Sequence, residues 1–391
     1  MEKVLISFTS YPSRIETVHK VVESLWKQTE KADEIILWLS ILDFPRQYND
    51  LPPNLKKLIG KNGFHIEWVN ENLKSHKKYL YSLQDSDNIV ITVDDDTYYA
   101  NTMVSTLIES YRKHPYAVSA RNVHVITRKG AGISPYKEWA ESATEFIDEE
   151  RMDLCAIGVN GILYPPCCKS KRWFNKEQIE KFAQNQDDLW LKFNEVIDGI
   201  PTVYTGMDEE DQVIEGSQES ALYIANGTGG ANDVCIHKLL DMLQNEYKEI
   251  YDKWFFSLLQ KEELIKLKRK YYILEFEKIF IEHGNRALYI CGAGKYAHLV
   301  MEFINSYRET NDIKAFLVTK RTENQEKSDH ICIKEIEELD KSAPCAVICG
   351  VGKNYRKELK QSLKAYKLCE WIEVDVLGIA KLFRMEQSKE M

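Results

Sequence analysis

Within the first 93 residues, four short and largely apolar runs alternate with helical patterns, and this rhythm constrains the fold more than any other feature. "KVLISFTS" reads as a strand, "IETVHKVVESLWKQ" as an amphipathic helix and "DEIILWLS" as a second strand. "NLKKLIGKNG" follows as a short helix ended by Gly63, then "FHIEWVN" as a third strand, "KKYLYSLQD" as a helix and "NIVITV" as a fourth strand. A strand with one wet face alternates apolar and polar residues, whereas a strand apolar along its length needs cover on both faces. Parallel sheets flanked by helices provide that cover. The fold class is therefore α/β with a mostly parallel sheet. After residue 115 the pattern turns irregular: "AVSARNVHVIT" is strand-like and "GVNGILYPPCC" reads as a loop punctuated by glycine and proline.

At 391 residues the chain exceeds what one hydrophobic core normally serves, so two domains are expected. Residues 241–283 contain no proline and repeat apolar residues at helical spacing, which predicts one or two long helices joining the domains. Beyond them "RALYICGAGKYAHLVMEFINSY" opens a second α/β unit, with strands near "IKAFLVT", "APCAVICGVG" and "CEWIEVDV". The expected division is residues 1–240, a helical linker at 241–285, a small Rossmann-like domain at 286–380, and a frayed polar tail. In the second unit Gly292, Gly294 and Ala297 form G-x-G-x-x-A between a strand and a helix. A dinucleotide fingerprint would also want an acid near the end of the second strand, and there stand Lys320 and Arg321. A phosphorylated ligand, no ligand, and glycines kept for close packing all stay open, with interaction or regulation the favoured role.

Charge and cysteine usage exclude several classes. The formal net charge is −9 with no dominant block of one sign, which argues against nucleic acid as a partner. The nine cysteines form no C-x-x-C and no zinc spacing, as expected of reduced thiols in the cytoplasm. "MEKVLISFTSYPSR" lacks the pattern of a signal peptide, and no apolar run approaches the roughly 20 residues that span a bilayer. A cytoplasmic protein is expected, with peripheral contact at the inner face of the membrane still compatible. Oligomeric state is not legible.

The fourth strand ends on "VDDDTYY". Three adjacent carboxylates repel one another unless a cation or strong donors sit among them. In extended backbone Asp94 and Asp96 would project to one side and Asp95 to the other. Carboxyl ends of parallel strands are where open α/β sheets bind ligands, and two carboxylates there suit a hard divalent cation that also bridges a diphosphate. A solvated turn whose aspartates cap the following helix, "TYYANTMVSTLIESYRK", is the competing reading. Further on, Asp187 and Asp188 open an apolar-periodic helix in "AQNQDDLWLKFNEV". Such a pair supplies either a general base or a helix-capping charge.

Taken in order, "ISFTSYPSR", "ILWLS", "HKKYLYSLQD", "ITVDDDTYY", "GVNGILYPP" and "NQDDLWLKF" resemble the nucleotide-sugar-dependent glycosyltransferases of the GT-A fold. The likeness is to the family-2-like bacterial enzymes that build capsular or lipopolysaccharide glycans, and it covers about residues 3–240. It implies a D-x-D that holds Mn2+ or Mg2+ on a nucleoside diphosphate, with Asp96 as metal ligand, Asp94 facing metal or ribose, and Asp95 in support. It implies Asp188 as the base that takes the acceptor proton with inversion, with Asp187 as second choice. In the first loop Thr9, Tyr11 and Arg14 become donor-site residues, with Arg14 otherwise a surface residue that begins the next helix. Lys77 and Lys78 precede the D-x-D strand, which sets one ammonium, Lys78 preferred, to meet a phosphate or the base, with solvated helix lysines as the alternative. In "GVNGILYPP", Asn160 and Gly161 become acceptor and sugar-pocket residues, with a tight structural turn as the equal alternative. The implied partners are a nucleotide-sugar donor, UDP favoured, and a glycan or lipid-linked oligosaccharide acceptor.

Some residues stay outside this assignment. Trp139 and Trp173 read as core, and His237 sits within a helical pattern and is left out of the metal set. Where related enzymes carry an acid for the nucleobase after the second strand, this chain has only Asp43, displaced. Two other readings are retained: an aspartyl-phosphate phosphatase, whose signature Tyr98 does not match, and a non-catalytic nucleotide-binding scaffold.

Overall fold

The computed structural model describes residues 2–84, 87–141, 143–207, 211–215, 230–308, 312–320, 327–328 and 331–387. The chain divides into two compact units, Met1–Lys261 and Glu262–Met391.

The first unit is built on an eight-stranded sheet. Four strands lie where the apolar runs predict them: β1 (Val4–Thr9), β2 (Glu34–Ser40), β3 (Phe64–Val69) and β4 (Ile89–Thr92). They pair in parallel in the order β4-β1-β2-β3. Ile6, Phe8, Leu37, Leu39 and Ile91 lie in one core with Val18, Val21 and Val22 of the helix Val18–Leu25 and Met103, Val104 and Leu107 of the helix Met103–Lys113. On the other face the helix Lys77–Gln84 meets β1, where Ser7 Oγ donates to the Lys78 carbonyl, and this two-sided cover accounts for the unbroken apolar runs.

Beyond β4 the sheet is mixed. The segment Ile162–Tyr164, expected as loop, is a buried strand antiparallel to β4 and to Val118–Ala120. Its three residues are too few to show a period, and the flanking Gly161 and Pro165 mask it. Thr202–Tyr204 continues the sheet in parallel, and Glu150–Arg151 closes it. A small antiparallel sheet, Ala140–Glu141, Val123–Val125 and Leu154–Ala156, stands beside it.

Residues 241–285 do not form a separate linker. The helices Ala231–Glu246 and Lys248–Ser257 belong to the first unit, where Trp254 packs edge-on against Phe193 and donates from Nε1 to the Met152 carbonyl. The helix Lys261–His283 contributes Ile265, Tyr272, Phe276 and Phe280 to the core of the second unit. Helical spacing predicts that these segments are helices; it does not say which core each one joins.

In the second unit five parallel strands run in the order Ile331–Glu335, Ile313–Val318, Ala287–Cys291, Cys345–Cys349, Cys369–Ile372, with Lys327–Ser328 antiparallel at one edge. Numbered along the chain this is 3-2-1-4-5, a doubly wound arrangement. Its two glycine turns interlock. A Cβ at Gly292 would stand 2.5 Å from Val351 Cγ1, and one at Gly350 would stand 2.7 Å from the Cys291 carbonyl oxygen. Close packing of the turns accounts for these two glycines.

Candidate active site

A cleft of about 780 Å³ opens at the carboxyl ends of β1, β2 and β4. The carboxylate cluster and the acidic pair both line it. β4 ends at Thr92, and Asp95 and Asp96 lie in a turn. The turn overrides the alternation expected of extended backbone. Asp95 and Asp96 share one partner, with Arg14 Nη1 at 2.8 Å from Asp95 Oδ1 and 3.0 Å from Asp96 Oδ2. Asp94 takes a different one, Lys78 Nζ at 3.0 Å from Oδ1. The chain thus supplies the cations its carboxylates need. None of the three caps the helix Met103–Lys113, which has Thr102 at its cap position and no side-chain cap bond.

Burial grades the cluster. Asp95 is 5 % exposed, accepts from Ser10 Oγ at 2.5 Å, and is pushed up to about 6 by burial against the opposing pull of Arg14 and Ser10. Asp96 accepts from Thr97 Oγ1 at 3.3 Å. The Asp94 side chain, 31 % exposed, is the open face of the cluster.

Lys78 joins the two acidic groups. It is carried by the helix Lys77–Gln84, is buried, and lies 2.9 Å from Asp187 Oδ2 as well as against Asp94. Burial opposes its charge, but Asp187, Asp94 and Asp188 hold the ammonium well above its ordinary value. The adjacent His76 fixes the approach to the acidic pair: its Nε2 is 2.7 Å from the Ala183 carbonyl and its Nδ1 2.9 Å from the Tyr79 hydroxyl.

Asp187 and Asp188 are the first two residues of the helix Asp187–Asp198, with Gln186 as its flanking residue and no side-chain cap bond. Asp187 turns to Lys78 instead, and Asp188 Oδ2 accepts from the Gly158 amide at 3.1 Å. Their proton affinities part accordingly. Burial works against ionisation of Asp187, but Lys78 and His76 keep it below the ordinary carboxylate range. Asp188 is pushed up to about 7 by burial and by the charge on Asp187. One carboxylate that stays charged beside one that titrates near neutrality is the arrangement general base catalysis needs.

A Cβ on Gly158 would lie 2.7 Å from Lys78 Nζ, 3.4 Å from Asp188 Oδ1 and 3.6 Å from Asp94 Oδ1. Glycine is therefore the residue that lets the 158–160 turn close onto all three groups.

Of the other expected donor residues, Thr9 and Tyr11 line the cleft; Thr9 Oγ1 donates to the Trp38 carbonyl, and the Arg14 guanidinium lies 5.6 Å from the Tyr11 ring centre. Asn160 and Gly161 do not line it. Asn160 Nδ2 donates to Asp211 Oδ2 at 2.8 Å, and Gly161 adopts a φ of +93° against Met103. The Asn160 amide is thus bonded to a buried carboxylate 51 residues away. Trp139 and Trp173 are core residues, and exposed His237 bonds the Asp233 carbonyl of its own helix.

Ser10 and Asn72 are cleft residues that the sequence reading does not name. Ser10 follows the expected Thr9 in the chain, but it meets Asp95, 85 positions away, only in the fold. Asp43 accepts from Asn72 Nδ2 at 2.8 and 2.7 Å, and Asn72 Oδ1 in turn accepts from Lys77 Nζ at 2.9 Å. Burial brings Lys77 down to about 8. Asn72 carries no motif, so this chain of bonds needed the structure.

The least anticipated feature is a strap across the carboxylate turn. Gln212–Val213 pairs antiparallel with Thr97–Tyr98, the Ile214 amide donates to the Asp96 carbonyl at 2.8 Å, and Ile214 is buried in the main core. Asp211 anchors it, accepting from Ala100 N at 2.7 Å, Arg121 Nη1 at 3.0 and 2.9 Å, and Asn160 Nδ2. One buried carboxylate thus joins the loops that carry Asp94–Asp96 and Gly158.

Among the described residues no group of three His, Cys, Asp or Glu side chains stands where it could hold a metal ion. Asp94 and Asp96 offer two hard oxygen ligands, a set that suits Mg2+ or Mn2+ where waters or a bound ligand complete the shell.

No protein-family model matches the chain, and no curated protein does. Solved structures similar to it include S. aureus TarS residues 1–349, at 13% identity over 65% of this chain and 69% of that one, with a TM-score of 0.35. Another is the mannosyltransferase PcManGT from Pyrobaculum calidifontis in complex with GDP-Man and Mn2+, at 10% identity over 78% of this chain and 80% of that one, with a TM-score of 0.38. A third is 4-diphosphocytidyl-2C-methyl-D-erythritol synthase, at 9% identity over 57% of this chain and 97% of that one, with a TM-score of 0.35.

Proposed function

We propose that the first unit transfers a glycosyl group, with inversion, from a nucleoside-diphosphate sugar (UDP favoured) to a glycan or lipid-linked glycan acceptor of surface polysaccharide synthesis. One observation carries the reading: a single cleft at the ends of parallel strands is lined both by the carboxylate turn and by an acidic pair whose second member titrates near neutrality.

In the reaction the acceptor oxygen forms a bond to the anomeric carbon as the bond from that carbon to the diphosphate breaks. The electron pair leaves with the diphosphate, and the acceptor proton goes to an Asp188 carboxylate oxygen. The Gly158 amide orients that carboxylate through Oδ2. Asp187 stays charged on Lys78 and keeps Asp188 basic. Arg14 holds Asp95 and Asp96 in place beneath the donor. A divalent cation would be held by Asp96 and Asp94, where it would offset charge building on the leaving diphosphate.

Calorimetry with Mn2+ and a panel of nucleoside diphosphates tests this directly. The expected result is binding by the wild type and its loss in Asp96→Ala; no binding to any nucleotide by either protein would sink the proposal. Retained anomeric configuration in a product, read by NMR, would overturn inversion. Phosphate release from simple phosphomonoesters, with no nucleotide requirement, would favour the phosphatase reading.

A further inference from the structure

The lining of the cleft mixes two chemistries. Arg14, Asp43, Asn72, Lys77 and Lys78 carry charge or are bonded to charge. His124, Tyr136, Ile157, Leu189, Gln186 and Asn232 bring aromatic rings, aliphatic groups and amides. Two of these adjoin the base in the chain: Leu189 follows Asp188, and Ile157 precedes Gly158, whose amide donates to Asp188.

Tyr136 is fixed from several directions. Its ring centre lies 5.5 Å from that of His124 and 5.1 Å from that of Trp139, each at an interplanar angle of 50°. Trp139 is buried behind it and donates from Nε1 to the Ser134 carbonyl at 2.9 Å. The Tyr136 amide donates to Asp233 Oδ1 at 2.7 Å, from the helix Ala231–Glu246. His124 sits opposite Cys155 in the small antiparallel sheet. Burial holds the Tyr136 phenol above its ordinary value, and Tyr136 and Asp188 line the same cleft.

A pyranose presents a face of C–H groups ringed by hydroxyls. A rigid aromatic ring with amides nearby matches that face, as sites built from apolar walls and a few polar groups do in general. A phosphate wants guanidinium or ammonium groups. Among the described residues, the groups packed on or bonded to Tyr136 are His124, Trp139 and Asp233, none of them a lysine or arginine.

From this geometry we propose that Tyr136, backed by Trp139 and flanked by His124, is the acceptor platform, and that the acceptor group it receives is a neutral saccharide ring stacked beside Asp188. The proposal rests on the transferase reading and names the acceptor chemistry of that site.

Saturation-transfer NMR on the full chain tests it, using a panel of methyl pyranosides against glycerol 3-phosphate, with UDP and Mn2+ binding followed separately by calorimetry. Saturation is expected to reach one or more pyranosides and not glycerol 3-phosphate. Tyr136→Ala should weaken saccharide binding by about tenfold or more while Tyr136→Phe, which keeps the ring, retains it. Both variants should bind UDP as the wild type does, which also reports that they fold. Preference for glycerol 3-phosphate, silence from every pyranoside, or wild-type saccharide binding by Tyr136→Ala would each overturn the platform. Failure of the wild type to bind UDP would count against the transferase reading alone, since the saccharide arm is read independently.

Discussion

At the scale of single residues, the site is organised by how two cations are shared among five carboxylates. Arg14 takes Asp95 and Asp96, and Lys78 takes Asp94 and Asp187, which leaves Asp188 with a backbone amide as its partner. That asymmetry sets the pH dependence. Asp188 must be ionised to accept a proton, and its affinity is raised to about 7, so kcat/KM should climb as pH rises through about 7 and fall below it. Asp187 lies below the ordinary carboxylate range and stays charged throughout this window. Asp188→Asn should lower kcat by about 10²–10⁴-fold and abolish the limb near neutrality; an unchanged limb in that variant would assign it to another group. Gly158→Ala is a second residue-scale case. Lys78 Nζ cannot swing away from a new Cβ without leaving Asp94 or Asp187, so a cost of about 1–3 kcal/mol in stability is expected in denaturant titration, together with loss of activity. A variant as stable and active as the wild type would show that the turn relaxes freely.

At the scale of elements, the decisive piece is the strap formed by residues 211–214. Arg121 and Asp211 have side chains 0% and 2% exposed, so removing either leaves a charge buried without its partner. Asp211→Ala is expected to cost about 3–5 kcal/mol in denaturant unfolding. Asp211→Asn keeps part of the hydrogen-bond set and should cost less. If Asp211→Ala proved neutral, the strap would not be what holds the carboxylate turn. This element also marks the limit of reading the chain as text. The strands β1 to β4 are legible because each is an apolar run between turn signals, and the aspartates are legible because they end one of those runs. Strands of two or three residues, such as Gln212–Val213 and Ile162–Tyr164, carry no period. The bond from Asn160 to Asp211 joins positions 51 apart with no pattern between them, so it is legible only in the fold.

At the scale of the whole molecule, each unit has a core of its own. Ile6, Phe8, Leu37 and Ile91 belong to one, and Tyr272, Phe276, Ile290 and Phe316 to another. The sequence announces both units through their strand rhythms, yet the division falls after Lys261 because a helix joins whichever core its apolar face meets. Separate cores predict separate responses to a ligand. Every residue assigned to the cleft lies in the first unit, so a nucleotide bound there stabilises that unit's folded state by mass action and leaves the other's equilibrium untouched. Scanning calorimetry of the full chain should therefore resolve two transitions. Saturating UDP with Mn2+, at about 100 times its dissociation constant, should add about 2.7 kcal/mol to one of them and raise its midpoint by about 5–11 °C. Asp211→Ala should lower that same transition and not the other. If the nucleotide and the substitution instead moved both transitions together, the two cores would fold as one cooperative body and the division at Lys261 would have no thermodynamic meaning.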